Sequence, residues 1–423
     1  MWRRLLSDNA SLGLQYAANA LVPLLLIPHF VRTLGVEQYG GLAMLAAAMG
    51  FATVIVQYAF HLTGPAEHAA LQGRRGARQL FLDVLAARGM LFGVVLALFL
   101  VALTVRYALD QQNLGLWIEA SALLAIPAGA AMNAAWYLQA RGQFAALAGL
   151  SVVAVAVALA VGLAGVTPVD PHARLWAAIA LGTGPLLLGV GSLAWAFAQL
   201  PREPGRARFA GGLEALRRGQ AVFLSQFVAA LYSLAGPLVV GALSGVRAAG
   251  LFSAIERPAA AVQAALALTH TAAYPRASAL FAAGERLRYQ QLLRQVLLVY
   301  TLAVAGLGIG LLLFSERAVW FLFGAASAEG TTLLWLAYAW LALGIFGPMV
   351  TGYFTVRGTP QEILRLTLWV LLVSLPAGAI GAAMLGGTGW LLAMIAGQCV
   401  VLARAVRAWR QEAALASAPA GRG

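Results

Sequence analysis

Twelve long apolar stretches dominate the sequence and decide what it can fold into. They lie at about 10–31, 39–63, 80–105, 115–139, 143–165, 174–199, 219–242, 248–272, 290–314, 328–355, 366–385 and 389–408. A membrane-spanning helix needs about 20 apolar residues, whereas a barrel strand needs only about 10. Because lipid offers no hydrogen bonds to the backbone, stretches of this length must be helical. The pattern predicts an all-α polytopic membrane protein with about twelve transmembrane helices.

Composition excludes the other broad classes. Of the 423 residues, 61% are hydrophobic and 10% are charged, whereas a soluble domain is about a quarter charged. The net charge of +13 comes from arginines spread through short loops, so we do not interpret it as nucleic-acid binding. No small-residue cleavage site follows Met1, and we expect the first stretch to be a transmembrane helix and not a removed signal peptide.

The arginines predict the orientation of the chain. All 28 basic residues are arginine, and 21 of them fall in one alternate set of connections and ends, against five in the other. Positive residues favour the cytoplasmic side. We therefore predict a multi-pass membrane protein with both termini in the cytoplasm. The two remaining arginines lie inside apolar stretches.

The connection with the most arginines also predicts a division of the chain. Residues 201–218 are basic and rich in proline and glycine, and six apolar stretches lie on each side. We predict an N-terminal lobe at 1–200, a cytoplasmic loop at 201–218, a C-terminal lobe at 219–410 and a cytoplasmic tail at 411–423.

A weak internal repeat supports two related lobes. At an offset of 210 residues, Gly35-Val36 matches Gly245-Val246. Because both lobes begin on the same side of the membrane, the repeat is parallel, with a pseudo-twofold axis along the membrane normal. This arrangement predicts a central cavity between two six-helix lobes.

Arg88 and Arg257 are the most unusual residues, since each lies about nine residues inside an apolar stretch. An arginine at that depth costs at least ~2.5–3.5 kcal/mol unless it meets water or a partner. One hypothesis is a cationic cavity for an anionic substrate. The alternative is a structural ion pair with Glu256, Glu119 or Asp83.

Polar residues on the predicted eighth helix form a stripe. Glu256, Gln263 and His270 are spaced by seven residues, which is nearly two helical turns. Arg257 is rotated by ~100° from Glu256, so we expect the two side chains to point apart. The stripe either lines the cavity or forms a polar seam between packed helices.

Two further polar pairs lie on the first two helices. Gln15 and Asn19 are one turn apart on the first helix, and Gln57 and His61 are one turn apart on the second. We expect both pairs to face the same cavity. The candidates for proton coupling are His61, His270 and Glu256.

No pattern in the sequence points to an enzyme. Without lysine there is no ATP-binding P-loop, and no cluster of cysteine, histidine or carboxylate has metal-ligand spacing. We expect no cofactor and no metal. The single cysteine, Cys399, forms no intrachain disulfide.

Four motifs carry a family resemblance: LGVEQYGGL at 34–42, QYAFHLTGP at 57–65, GLFSAIER at 250–257 and YPR at 274–276. They resemble segments of Wzx-type O-antigen and polysaccharide flippases, which belong to the MOP superfamily with MATE exporters and lipid II flippases. His61 and Ala59 stand where that family usually has asparagine and glycine.

The resemblance implies a function in lipopolysaccharide biosynthesis. It implies movement of an undecaprenyl-diphosphate-linked oligosaccharide from the inner to the outer leaflet of the bacterial inner membrane by alternating access. The expected partners are this cargo, membrane lipids, and a polymerase or other glycan-assembly membrane proteins, with no nucleic acid. The candidate substrate contacts are Arg257, Arg88, Glu256, His61, Gln57, Gln263, Gln15 and Asn19.

Three alternatives stay open at this stage. A MATE-like exporter of organic cations would need a buried carboxylate in the first lobe. A glycan-assembly enzyme would need a sizeable external loop, and a scaffold without transport activity would need neither. The energy source is also open between the membrane potential and antiport of protons or other ions.

Overall fold

The fold is built from helices throughout the part of the chain that the structure describes. The structure is a computed structural model and describes residues 2–71, 76–109, 114–347 and 360–417. Its first nine helices are α1 (Trp2–Leu34), α2 (Val36–Gln57), α3 (Phe60–Ala70), α4 (Ala77–Leu109), α5 (Leu114–Leu123), α6 (Ala125–Met132), α7 (Ala135–Ala140), α8 (Phe144–Gly165) and α9 (Ala173–Gln199). The others are α10 (Phe209–Ser244), α11 (Val246–Ala282), α12 (Arg286–Phe323), α13 (Ala328–Gly344), α14 (Pro360–Leu385) and α15 (Gly387–Ser417).

The apolar stretches coincide with these helices, which confirms the all-α membrane fold. Within the described ranges, ten helical segments are long and apolar enough to cross a membrane. The stretches at 248–272 and 328–355 are not among those ten. They correspond to α11 and α13, and the end of the second lies outside the described residues. The count of twelve spans therefore stays a prediction.

The chain forms two compact units, Met1–Leu238 and Val239–Gly423, so that the division falls within α10. The predicted loop at 201–218 is non-helical only up to Arg208, because α10 begins at Phe209. The prolines at 201 and 204 and the glycine at 205 disfavour a helix before that point. The predicted tail at 411–423 is likewise helical as far as Ser417.

The short connection before α10 is held against the start of α4. The Glu203 carboxylate accepts a hydrogen bond of 2.8 Å from the Gly76 amide. Gln79 Nε2 donates to the Arg206 carbonyl at 3.0 Å, and the Arg206 amide donates to Gln79 Oε1 at 3.1 Å. These contacts fix the path of the basic segment within the N-terminal unit.

The second apolar stretch is interrupted by a left-handed break. Tyr58 and Ala59, with φ of 47° and 59°, separate α2 from α3. This conformation costs an L-residue about 1–2 kcal/mol. The Tyr58 ring stacks on Phe223 of α10 with centroids 4.2 Å apart, and Ala59 is buried. Tertiary packing therefore supports a break that local preferences oppose.

The fourth apolar stretch, predicted as one helix at 115–139, is three helices. Asn133 and Ala134 separate α6 from α7. Asn133 Oδ1 accepts a 2.8 Å hydrogen bond from the Ala135 amide, and Ser192 Oγ of α9 accepts one of 3.0 Å from the Ala134 amide. Side chains thus satisfy the amides that the break leaves without helical partners.

The matching glycines adopt matching backbone conformations. Gly35 has φ 83° and ψ 158°, and Gly245 has φ 91° and ψ 164°. Only glycine adopts this region readily. The helices that follow begin at Val36 and Val246, so the local geometry repeats at the predicted offset.

Small residues allow helices to pack backbone against backbone. In the N-terminal unit, a Cβ on Gly129 of α6 would overlap the Pro185 carbonyl of α9, and one on Gly189 would overlap the Gly129 carbonyl. In the C-terminal unit, Gly381 of α14 and Gly389 of α15 meet in the same way. Such contacts are typical of membrane helices.

Candidate substrate site

The N-terminal unit contains a cavity between α1, α2, α6, α8 and α9. Its volume is about 360 Å³. Most of its wall is apolar and comes from alanine, valine, leucine, isoleucine and proline side chains. The polar residues of its wall are Asn19, Thr53, Gln57, Asn133 and Ser151.

Only some of the polar groups in the wall make hydrogen bonds within the protein. Thr53 Oγ1 donates a 2.8 Å hydrogen bond to the Met49 carbonyl and keeps its capacity to accept. Ser151 is buried, and its Oγ has no hydrogen-bond partner among the described residues. Within those same ranges the side-chain amides of Asn19 and Gln57 make no hydrogen bond. The wall therefore offers free donors and acceptors without a charge.

Arg88 of α4 is joined to this wall through Asn133. Its Nη1 donates to the Asn133 carbonyl, at the break between α6 and α7. Its guanidinium also lies over the Phe60 ring, 5.7 Å from the centroid, immediately after the break between α2 and α3. The side chain is 4% exposed. A single arginine thus contacts both helix breaks.

Among the described residues, Arg88 has no carboxylate within ion-pair distance. Glu119 pairs instead with Arg174, with Arg174 Nε 2.9 Å from Glu119 Oε2. Asp83 accepts a 2.7 Å hydrogen bond from Gln79 Nε2. Two partners that the sequence offered for an ion pair are therefore engaged elsewhere.

Arg257, in the C-terminal unit, does have an acidic partner. Its Nε lies 3.5 Å from Glu256 Oε2, and the side chains of Arg257 and Glu256 are 33% and 10% exposed. The expectation that the two side chains point apart is wrong. The ~100° rotation applies to the Cα–Cβ bonds, whereas a long arginine side chain bends back toward its neighbour. This geometry favours the structural ion pair for Arg257.

The other candidates are distributed more widely. Gln263 packs against the backbone of Gly344 at the end of α13, within the C-terminal unit. His61 is exposed and lies within electrostatic range of Arg88. Gln15 lies one turn before Asn19 on α1 but is not part of the cavity wall. The side chain of His270 lies outside the described residues.

The sequence did not indicate Thr53, Asn133 or Ser151. Thr53 and Ser151 carry no visible signal, because a hydroxyl inside a membrane helix usually bonds the preceding turn. Asn133 carries one: it is a carboxamide within an apolar stretch, directly before alanines that could continue a helix. Such a residue indicates a helix break only when a neighbouring helix can form hydrogen bonds with the backbone amides that the break leaves unpaired.

Comparisons of the fold show similarity to transporters over nearly the whole chain. An inward-facing multidrug resistance transporter of the MATE family has a TM-score of 0.72 at 15% identity, covering 95% of this chain and 96% of that one. The lipid II flippase MurJ, in an inward closed conformation, has a TM-score of 0.61 at 11% identity, covering 96% and 87%. A transporter from Pyrococcus furiosus, described as having a binding pocket of reversed polarity, has 0.57 at 15% identity, covering 98% and 96%.

At identities of 11–15% these likenesses show the fold alone, a multi-pass helical membrane fold that the chain shares with the MATE-family transporter and with MurJ. The sequence is more specific than the fold. Residues 5–281 match the family described as polysaccharide biosynthesis protein, and the chain belongs to that family. No curated protein matches the chain significantly.

Proposed function

We propose that the protein is a flippase that moves an undecaprenyl-diphosphate-linked oligosaccharide from the inner to the outer leaflet of the bacterial inner membrane. The observation that carries this proposal is Arg88, a buried cation without a carboxylate partner among the described residues. Such a group costs at least ~2.5–3.5 kcal/mol at membrane depth. An anionic substrate that meets Arg88 offsets this cost during transport.

The contacts of Arg88 leave donors for a phosphate. An arginine presents five N–H donors in a planar fork that matches phosphate oxygens. Nη1 is used by the Asn133 carbonyl, while Nε is buried without a hydrogen-bond partner in the described part of the chain. Membership of the polysaccharide biosynthesis family supports a glycan as the group attached to that phosphate.

The charge of the cargo supports outward transport. A diphosphate linked to lipid and sugar carries about two negative charges. Moving one elementary charge through 100 mV is worth ~2.3 kcal/mol. An inside-negative membrane potential assists outward movement of this anion. The candidates for additional coupling to protons are His61, which lies near Arg88, together with Glu256 and His270.

Export of organic cations is the second candidate, because the fold is similar to that of a multidrug transporter. A site for cations is expected to hold a carboxylate within reach of the ligand. The polar wall residues of the described cavity are carboxamides and hydroxyls. The described cavity therefore lacks the carboxylate that a cation site is expected to hold.

The test replaces Arg88 in the native host after deletion of the gene. Surface glycan is measured together with the abundance of the protein in the membrane. We expect Arg88→Gln to reduce surface glycan strongly, Arg88→Lys to retain more of it, and Arg88→Glu to be the most defective. Lysine keeps the charge but loses the bidentate fork.

Arg218→Gln is the matched control, because Arg218 is exposed and lies 2.9 Å from Glu214 and 3.4 Å from Glu67. It should leave glycan export unchanged. Arg257→Ala should lower protein abundance instead, since it leaves Glu256 buried and unpaired. Normal surface glycan from Arg88→Glu at normal abundance would overturn the proposal. Resistance to cationic dyes that depends on Arg88 would favour the second candidate.

A further inference from the structure

We infer that the cavity of the N-terminal unit is a binding site for one uncharged sugar ring of the cargo, separate from the site that holds its diphosphate. The choice of a sugar rests on the proposed function. The site itself rests on the chemistry of Asn19, Gln57 and Ser151. The ligand class is a neutral ring that carries several hydroxyl groups.

The first argument is the balance of donors and acceptors. A carboxamide offers two N–H donors and one carbonyl acceptor, and a hydroxyl offers both roles. The amides of Asn19 and Gln57 make no hydrogen bond within the described part of the chain. Sugar hydroxyls also donate and accept, so each finds a complementary group on this wall.

The second argument is an unsatisfied buried hydroxyl. Ser151 is 1% exposed, and its Oγ has no partner among the described residues, although Ser151 forms part of the cavity wall. Buried polar atoms nearly always have a hydrogen-bond partner in folded proteins. A ligand hydroxyl in the cavity supplies the partner that the surrounding helices do not.

The third argument is the separation of charge. The polar residues of the wall are all neutral, so neither a phosphate nor a cation finds a counter-charge there. Arg88 lies beside this wall and donates a hydrogen bond to the Asn133 carbonyl. The charged and neutral parts of one cargo therefore have adjacent places, with the diphosphate at Arg88 and a ring at Asn19 and Gln57.

The volume limits the ligand to a small one. The cavity of about 360 Å³ is near the lower end of the ~300–1,000 Å³ typical of small-molecule sites. A single ring fits this space, and the rest of the cargo lies outside it.

The test measures sugar binding without lipid or diphosphate. Full-length protein in phospholipid nanodiscs is titrated with methyl glycosides of glucose, galactose, mannose and N-acetylglucosamine, and binding is followed by saturation-transfer NMR. We expect at least one glycoside to bind. Asn19→Leu and Gln57→Leu should each weaken binding by about threefold to tenfold, as expected for one lost hydrogen-bonding group.

Gln15→Leu is the matched control, because Gln15 lies one turn from Asn19 on α1 and outside the cavity wall. It should leave binding unchanged. The thermal unfolding of a separate sample of each variant shows that the variant is folded. Asn19→Leu and Gln57→Leu lie on different helices, so one variant still tests the inference if the other does not fold. Inorganic pyrophosphate and tetraphenylphosphonium should not displace the glycoside.

The inference is overturned if none of the four glycosides binds, or if Gln15→Leu weakens binding as much as Asn19→Leu. Displacement of the glycoside by pyrophosphate or by tetraphenylphosphonium would also overturn it, since the wall would then hold a charged ligand. These outcomes are distinct from failure of the proposed function. Glycoside binding that depends on Asn19 and Gln57 would stand even if every Arg88 variant exported glycan normally.

Discussion

Replacing Glu119 by glutamine tests whether the N-terminal unit depends on a buried ion pair. Glu119 of α5 and Arg174 of α9 approach to 2.9 Å, and their side chains are 11% and 27% exposed. The Arg174 guanidinium also lies against α2, since a Cβ on Gly41 would be 2.7 Å from Arg174 Nη2. The pair therefore connects three helices of one unit.

The loss of stability expected for Glu119→Gln lies between two known limits. Removing one partner of a fully buried pair costs about 3–5 kcal/mol, whereas an exposed pair contributes about 0–1 kcal/mol. Arg174 is partly exposed, and Glu119 Oε2 lacks an aligned hydrogen bond, so the loss of stability should be smaller than for a fully buried pair. We expect a loss of about 2 kcal/mol, between those limits. For a domain of this size, that loss lowers the melting temperature by about 4–8 °C.

The assay is thermal unfolding of detergent-solubilised protein, followed by size-exclusion chromatography after heating. Glu67→Gln is the matched control, because Glu67 and Arg218 are 3.4 Å apart with 29% and 40% exposure, and it should change the melting temperature little. Glu119→Gln combined with Arg174→Met should recover part of the loss. The reasoning is refuted if Glu119→Gln melts like the native protein, or if the double variant is less stable than the single one.

Two other predictions concern packing and orientation. Gly129→Ala should destabilise the N-terminal unit by at least the ~1–3 kcal/mol typical of overpacking, since its Cβ would overlap the Pro185 carbonyl, whereas Gly149→Ala, with nothing within 4 Å, should not lower the melting temperature. An equal effect of the two changes would contradict the contact between α6 and α9. Reporter fusions at Val169 should read periplasmic and those at Gly205 cytoplasmic, and the reverse result would invert the orientation predicted from the arginines.

The positions of the helices follow from hydropathy, because lipid permits few alternatives to a helix. Their breaks do not follow from it. Tyr58 and Ala59 adopt left-handed conformations that favour glycine and asparagine. The stacking of Tyr58 on Phe223 joins residues 165 positions apart in the chain. No local pattern in the sequence contains that contact.

The candidate site could be predicted only in part, for similar reasons. Helical spacing drew attention to Asn19 and Gln57, since one turn of a helix has a fixed geometry, and both residues lie in the cavity wall. It did not separate Asn19 from Gln15, because the face that meets the cavity depends on how α1 packs. It also did not separate Arg88 from Arg257. Whether an arginine has an acidic partner depends on tertiary contacts. Glu119, for example, pairs with Arg174 and not with Arg88.

The position of the unit boundary within α10 has a consequence for how such a chain arose and how it can be divided. A gene duplication that copied six helices would join its halves near residues 201–208, where the two copies meet in sequence. The compact N-terminal unit nevertheless continues to Leu238, and it includes Phe223 and the Leu234 side chain that faces Gly50. A polypeptide ended before Phe209 would expose the apolar surface that α10 covers. If the chain is divided before Phe209 and the two fragments are co-expressed, α10 belongs to the second fragment. The protein then reassembles only if α10 packs against the helices of the first fragment. Recovery of the assembled protein therefore measures how strongly α10 binds to them.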